Sequence, residues 1–254
     1  MLDDGNGPAI VLLHGFPLAK EIWDVQAAAL ASHMRVVRLD LRGLGGSSVS
    51  PGPYLMEALA GDLADTLDAL GIERAAIVGH SLGGFVTFAF YRMFAERCTG
   101  LGFVASRPTA DTDEAAAARL ALAVRAEREG IAPVAEWFMP RLFAPVVYQR
   151  EPQLVARLRA IVERTDPRGA AAMLRGMAVR VSSEDLFDEI DVPVAIVAGS
   201  RDSLLPLDVA RAMAERIGGS ELVVHDGGHV PQLESPEIVS AALARLVTRV
   251  GARS

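Results

Sequence analysis

Short apolar runs bounded by turn residues alternate along this chain with segments whose apolar positions recur every three or four residues. The runs at 9–13, 35–39, 75–78, 101–105, 194–198 and 221–224 are continuous and often β-branched. That is the pattern of parallel strands buried on both faces. Helices are predicted at 22–31, 56–70, 83–96, 207–217 and 236–250. In the second of these, Leu59, Leu63, Thr66, Leu67 and Leu70 share one face, as an amphipathic helix requires. Strand–helix alternation predicts an α/β fold, a mostly parallel sheet of about six strands flanked by helices.

The alternation stops between about residues 107 and 188, a stretch without strand-like runs and rich in Ala, Arg and Glu. Helices are expected there at 112–129, 132–143, 151–164 and 168–179. Pro133, Pro140, Pro145, Pro152 and Pro167 punctuate them, several near helix starts, where proline forfeits no backbone hydrogen bond. The expected division is a core of 1–106 and 189–254 interrupted by a helical insertion, 107–188, packed on the sheet's C-terminal edge.

Composition narrows the function classes. With 254 residues, 51% of them hydrophobic, the chain can bury one large core. A net charge of −7, spread rather than run into tails, argues against a nucleic-acid surface. No apolar run reaches membrane-spanning length. The start, Met1-Leu2-Asp3-Asp4-Gly5, lacks the basic and apolar regions of a signal peptide, so a cytoplasmic location is expected. Cys98 is the only cysteine, which excludes an intrachain disulfide and a cysteine-based metal site. It is expected within or just past the helix after Ser81, as a partly buried structural thiol. The acidic stretch at 182–191 lacks the spacing of a calcium loop, and neither a metal nor an organic cofactor is called for.

Candidate chemistry gathers at the ends of the runs. Gly79-His80-Ser81-Leu82-Gly83 fits the G-x-S-x-G pattern, with a strand before it and a helix after it. His14-Gly15-Phe16-Pro17 follows the first strand, Ser81 the third, Asp202 the fifth and His229 the sixth. All four lie at C-terminal strand ends, where open α/β sheets place their sites. A serine hydroxyl needs a base to become a nucleophile. His229, on a Gly227-Gly228 loop able to reach Ser81, fits that role better than His225 at the strand end. Asp202, which follows a strand and the turn Gly199-Ser200-Arg201, would orient the imidazole. His14 reads as a loop-shaping residue, His33 as a surface one, and Asp40 and Arg42 as ties within a neighbouring loop.

With Asp40-Leu41-Arg42-Gly43-Leu44-Gly45-Gly46-Ser47, Gly199-Ser200-Arg201-Asp202, Thr165-Asp166-Pro167-Arg168-Gly169 and Leu233-Glu234-Ser235-Pro236-Glu237, these motifs extend over essentially the whole chain. The chain resembles an α/β-hydrolase with a helical cap, in the esterase, 3-oxoadipate enol-lactonase and cofactor-free haloperoxidase branch. The order Ser, Asp, His is that of the fold. The resemblance implies an oxyanion hole from the N–H groups of Phe16 and Leu82, since Pro17 has none to offer. It also implies substrate contacts at Phe16, Trp137, Met139 and Val230, with one or two of the cluster Trp137, Phe138, Met139 and Phe143 facing the substrate. Two departures stand out. The N-terminal β-hairpin is expected to be missing, which leaves an exposed sheet edge. His80 stands where enol-lactonases commonly carry an apolar residue, which favours a general esterase. The implied function is hydrolysis of small to medium acyl esters, or lactones, through an acyl-enzyme. C–C bond hydrolysis, perhydrolysis and a hydrolase-like ligand receptor are the alternatives; dehalogenase and epoxide-hydrolase chemistry would need an aspartate at position 81. The expected partner is a small-molecule ester, without nucleic acid or membrane, for a monomer or homodimer.

Overall fold

The computed structural model describes residues 1–251. Its sheet is built from β1 (Leu2–Asp4), β2 (Ala9–Leu13), β3 (Arg35–Leu39), β4 (Ala75–His80), β5 (Cys98–Val104), β6 (Val194–Gly199) and β7 (Glu221–His225), in the spatial order β1-β3-β2-β4-β5-β6-β7. All neighbours are parallel except β1, which runs antiparallel to β3 with Leu2 opposite Arg38 and Asp4 opposite Val36. The sheet therefore has seven strands rather than six, and the edge expected to be bare beside β3 is occupied. β1 is short and charged, a form of edge that discourages pairing with other chains. Asp3 binds Arg35 at 2.7 Å and Asp4 binds Arg38 at 2.6 Å, so ion pairs line the added strand.

Parallel strands need crossovers, and the helices supply them. α1 (Asp24–Leu30), α2 (Met56–Ala69) and α3 (Leu82–Phe94) join the first half of the sheet. β4 and β6 are buried along their whole length, which explains why they read as unbroken apolar runs. Between β5 and β6 the chain leaves the sheet for α4 (Asp113–Glu129), α5 (Ala132–Leu142), α6 (Pro145–Arg150), α7 (Pro152–Glu163) and α8 (Pro167–Ala178). Thr112 caps α4 by accepting from Ala115 N, and Asp166 caps α8 by accepting from Arg168 N, with Pro167 in the first turn. α4 packs along α8, and α5 contacts both α4 and α7. α9 (Leu207–Arg216), the single turn α10 (Pro231–Glu234) and α11 (Pro236–Gly251) complete the core, α11 packing on α1 and on β5 and β6. Cys98 opens β5 instead of trailing α3 and is fully buried. Among the described residues no helix is long and apolar enough to cross a membrane.

Candidate active site

β4 delivers the chain to Ser81 and α3 takes it away, and the reversal is sharp. Ser81 has φ 50° and ψ −110°, a region that costs a non-glycine residue about 1–3 kcal/mol. Close approach at the turn requires the flanking glycines. A Cβ on Gly79 would fall 2.1 Å from the Gly83 carbonyl carbon, and one on Gly83 would fall 2.5 Å from the Leu13 carbonyl oxygen. The backbone is held from the next strand as well. Ser81 N donates to Val104 O at 2.9 Å, and Ser106 Oγ donates to Ser81 O at 2.8 Å. Ala105, with φ 45°, turns the chain at the end of β5 beside Ser106.

The three predicted chemical residues meet. Ser81 Oγ donates to His229 Nε2 at 2.9 Å, and His229 Nδ1 donates to Asp202 Oδ2 at 2.7 Å. A carboxylate only accepts, so the proton belongs on Nδ1 and the lone pair on Nε2 faces the serine. The other oxygen of Asp202 accepts from Leu204 N at 2.8 Å and Leu205 N at 3.0 Å, which fixes the carboxylate's orientation. The His229 backbone is held on both sides, its N–H donating to Leu142 O at 2.9 Å and its carbonyl accepting from His80 Nε2 at 2.7 Å. Glu234 reaches the same loop, accepting from Gly228 N at 2.9 Å and Ala144 N at 3.1 Å. The inserted helices and the histidine loop are thereby bolted together.

The remaining histidines are accounted for. Burial pushes the pKa of His80 well below its ordinary value, and the neighbouring His229 lowers it further. His80 is therefore a neutral donor. His14, also lowered by burial, accepts from Leu41 N at 2.9 Å and donates to Gly15 O at 2.9 Å, shaping the loop after β2. His225 donates to Gly228 O and meets Ser235 Oγ, turned away from Ser81. His33 is exposed. Asp40 accepts from Lys20 Nζ at 2.6 Å and from Gly46 N at 3.0 Å, and Arg42 pairs with Asp62, so both tie loops together.

Above Ser81 and His229 lies a cavity of about 250 Å³ walled by the sheet edge below and the inserted helices above. Phe16 and Trp137 line it, with Phe138 edge-on to Phe16 at 5.1 Å. Met139 and Val230 do not line it. Met139 is buried on the far side of α5, with its carbonyl accepting from Tyr148, and Val230 is buried at the N-terminal end of α10. Phe143 is also buried outside the wall. The amides of Phe16 and Leu82 make no hydrogen bond among the described residues.

Sequence reasoning missed Ser106, Phe85, Leu174, Met177, Leu204 and Leu205 in the wall, and a charged group beside them. Asp111, whose side chain is 0% exposed, pairs with Arg107 at 2.5 Å, Arg119 at 2.6 Å and Arg180 at 3.0 Å. Burial alone would raise its pKa, but hydrogen bonds from Arg180 and Arg119 prevail and hold it down to about 2. Only the spacing of Arg107 and Asp111, four residues apart, hinted at the cluster.

A family model described as the alpha/beta hydrolase fold matches residues 8–236. A thermophilic esterase from Thermogutta terrifontis, solved with malate bound, is 37% identical with a TM-score of 0.96, covering 98% of this chain and 92% of that one. The enol-lactonase from Burkholderia xenovorans LB400 is 29% identical with a TM-score of 0.91, covering 97% and 95%. The 3-oxoadipate enol-lactonase 2 of Acinetobacter baylyi is 26% identical over 95% of this chain and 89% of its own length.

Proposed function

The chain belongs to the alpha/beta hydrolase family, and we propose that it is a serine hydrolase of carboxylic esters or lactones with small to medium acyl groups. The reading rests above all on the unbroken hydrogen-bond chain from Asp202 through His229 to Ser81. In the first half-reaction Ser81 Oγ attacks the substrate carbonyl carbon while His229 Nε2 takes the hydroxyl proton. The tetrahedral oxyanion forms against the amides of Phe16 and Leu82, the latter at the positive end of α3. Collapse expels the alcohol, which receives the proton from His229, and leaves the acyl group on Ser81. Water then repeats the sequence, giving its proton to His229 and its oxygen to the acid, and Ser81 recovers its hydroxyl. Asp202 holds the Nδ1 proton throughout and stabilises the imidazolium. A lactone is a cyclic ester and follows the same steps with its alkoxide still tethered. In this reading the inserted helices are a cap that closes the acyl pocket.

The test is turnover of p-nitrophenyl esters from acetate to decanoate by the wild type and Ser81→Ala. We expect kcat to fall by about 10⁴-fold or more in the variant, with an unchanged fold and a chain-length optimum that sizes the cavity. Turnover by folded Ser81→Ala within tenfold of wild type would sink the mechanism.

A further inference from the structure

The proposed chemistry gives no part to His80, yet its ring touches the segments that carry Ser81, His229 and Phe16. It precedes Ser81 in the chain and lies 5.1 Å from the His229 ring, tilted by 57°. It also packs so close to the loop after β2 that a Cβ on Gly15, the neighbour of Phe16, would fall 2.4 Å from its Nδ1. The side chain is 0% exposed. A carbonyl only accepts, so Nε2 carries the proton that His80 donates to His229 O at 2.7 Å. Nδ1 is then a bare acceptor, buried without a partner. An unsatisfied buried acceptor destabilises a fold, so packing alone would favour an apolar side chain of similar size here. What the imidazole adds is the hydrogen bond to His229. The rest of the loop is held by other groups. Gly227 O accepts from Arg201 N at 2.9 Å, Gly228 N donates to Glu234, and His229 N donates to Leu142 O. These bonds fix the chain up to the amide of His229. The peptide plane beyond its Cα is fixed by His80, and the direction of the Cα–Cβ bond follows from both planes.

We propose that His80 is a positioning residue that sets the reach of His229 Nε2 to Ser81 Oγ, 2.9 Å in the structure. It acts through the backbone of the base and not on the substrate, since it is not among the residues that line the cavity. The inference rests on the hydrolase reading for its effect on rate, whereas its effect on His229 can be read without substrate. A misplacement of about 1 Å in a reacting group can cost about 10²-fold in rate. A loosened His229 ring impairs proton transfer from Ser81 in acylation and from water in deacylation alike. The loss therefore falls on kcat and spares KM.

The experiment compares His80→Leu and His80→Met, which fill the site without a donor, with His80→Gln, which offers an N–H at a similar reach from its Cα. Two quantities are read: p-nitrophenyl acetate turnover, and the low-field proton resonance of His229 Nδ1–H on Asp202, assigned by its loss in His229→Asn. We expect kcat to fall by about 10–100-fold in the Leu and Met variants, with KM within about threefold of wild type. Their melting temperatures should move by only a few degrees, because one unpaired acceptor, His229 O, replaces another, His80 Nδ1. The resonance should broaden in both and sharpen again in His80→Gln, whose kcat should return to within about fivefold of wild type. Leu and Met variants within twofold of wild type, a Gln variant as impaired as they are, or a loss confined to KM each overturns the proposal while leaving esterase activity standing. Failure of both apolar variants to fold, where His80→Gln folds, would assign His80 to stability and overturn it too. A wild type that cleaves no ester refutes the hydrolase reading, and the resonance then decides alone. Broadening in the apolar variants with recovery in His80→Gln upholds the positioning of His229, and an unchanged resonance overturns it.

Discussion

Replacing Asp202 with asparagine changes one atom's chemistry, and the surroundings dictate the consequence. Oδ1 accepts from the amides of Leu204 and Leu205 at 2.8 and 3.0 Å. If the new NH₂ took that place, two N–H donors would face a third donor, at a cost of about 1–3 kcal/mol for each unsatisfied group. The amide oxygen therefore stays on the two backbone groups and the NH₂ turns to His229 Nδ1. That nitrogen must now accept, which moves the imidazole proton to Nε2, 2.9 Å from Ser81 Oγ. The wrong tautomer cannot take the serine's proton. We expect kcat/KM for p-nitrophenyl acetate to fall by about 10³–10⁴-fold, equivalent to about 4–5.5 kcal/mol of transition-state stabilisation. Because every hydrogen bond in the turn survives, the melting temperature should move by only a few degrees. A loss smaller than tenfold in a protein of unchanged Tm would refute the assignment of His229 as the base oriented by Asp202.

Two further outcomes follow from the ionisable groups. Asp111 titrates near 2 in the folded state against 3.8 for the free side chain. A depressed carboxylate pKa stabilises the fold above about pH 4 and loses that contribution as pH falls towards 2. The shift corresponds to about 2.5 kcal/mol. Urea denaturation should find Asp111→Asn less stable by about 2–3 kcal/mol at pH 7, the gap roughly halving by pH 3; an equal gap at both pH values contradicts the ion-pair account. Cys98 is fully buried and burial pushes its thiol up to about 12. A chromogenic disulfide at pH 8 should titrate no thiol in the native protein and one after denaturation, and fast native labelling would show that β5 opens locally.

The features legible in the sequence are those that one short segment determines. Ser81 was readable because a strand, two glycines and a helix start all fall within a few residues of it, and backbone geometry follows from that order. The six apolar strands were readable for a similar reason, burial on both faces leaving little room for polar residues. β1 was not, since Leu2, Asp3 and Asp4 carry no apolar pattern and their pairing is supported by ion pairs to Arg35 and Arg38. α6 escaped too, its proline read as punctuation when it in fact begins a helix of six residues.

The wall of the cavity shows where such reading ends. Trp137 and Met139 are two residues apart on α5, about 200° around the helix, so they cannot both face the cavity. Trp137 lines it and is 42% exposed, while Met139 is 1% exposed on the opposite side. Periodicity could establish that incompatibility but not which face looks inward, because both faces of α5 pack on something. Charge is harder still. Arg107 follows β5, Asp111 precedes α4, Arg119 lies within α4 and Arg180 follows α8, and only the packing of α4 along α8 makes them one group. The residues proposed to make and break bonds, Ser81, His229 and Asp202, are thus set by local turns at strand ends. The wall of the cavity above them is set by how the inserted helices pack. Trp137→Ala, a change in that wall, should therefore move the chain-length optimum of p-nitrophenyl ester turnover without moving the Ser81–His229–Asp202 geometry.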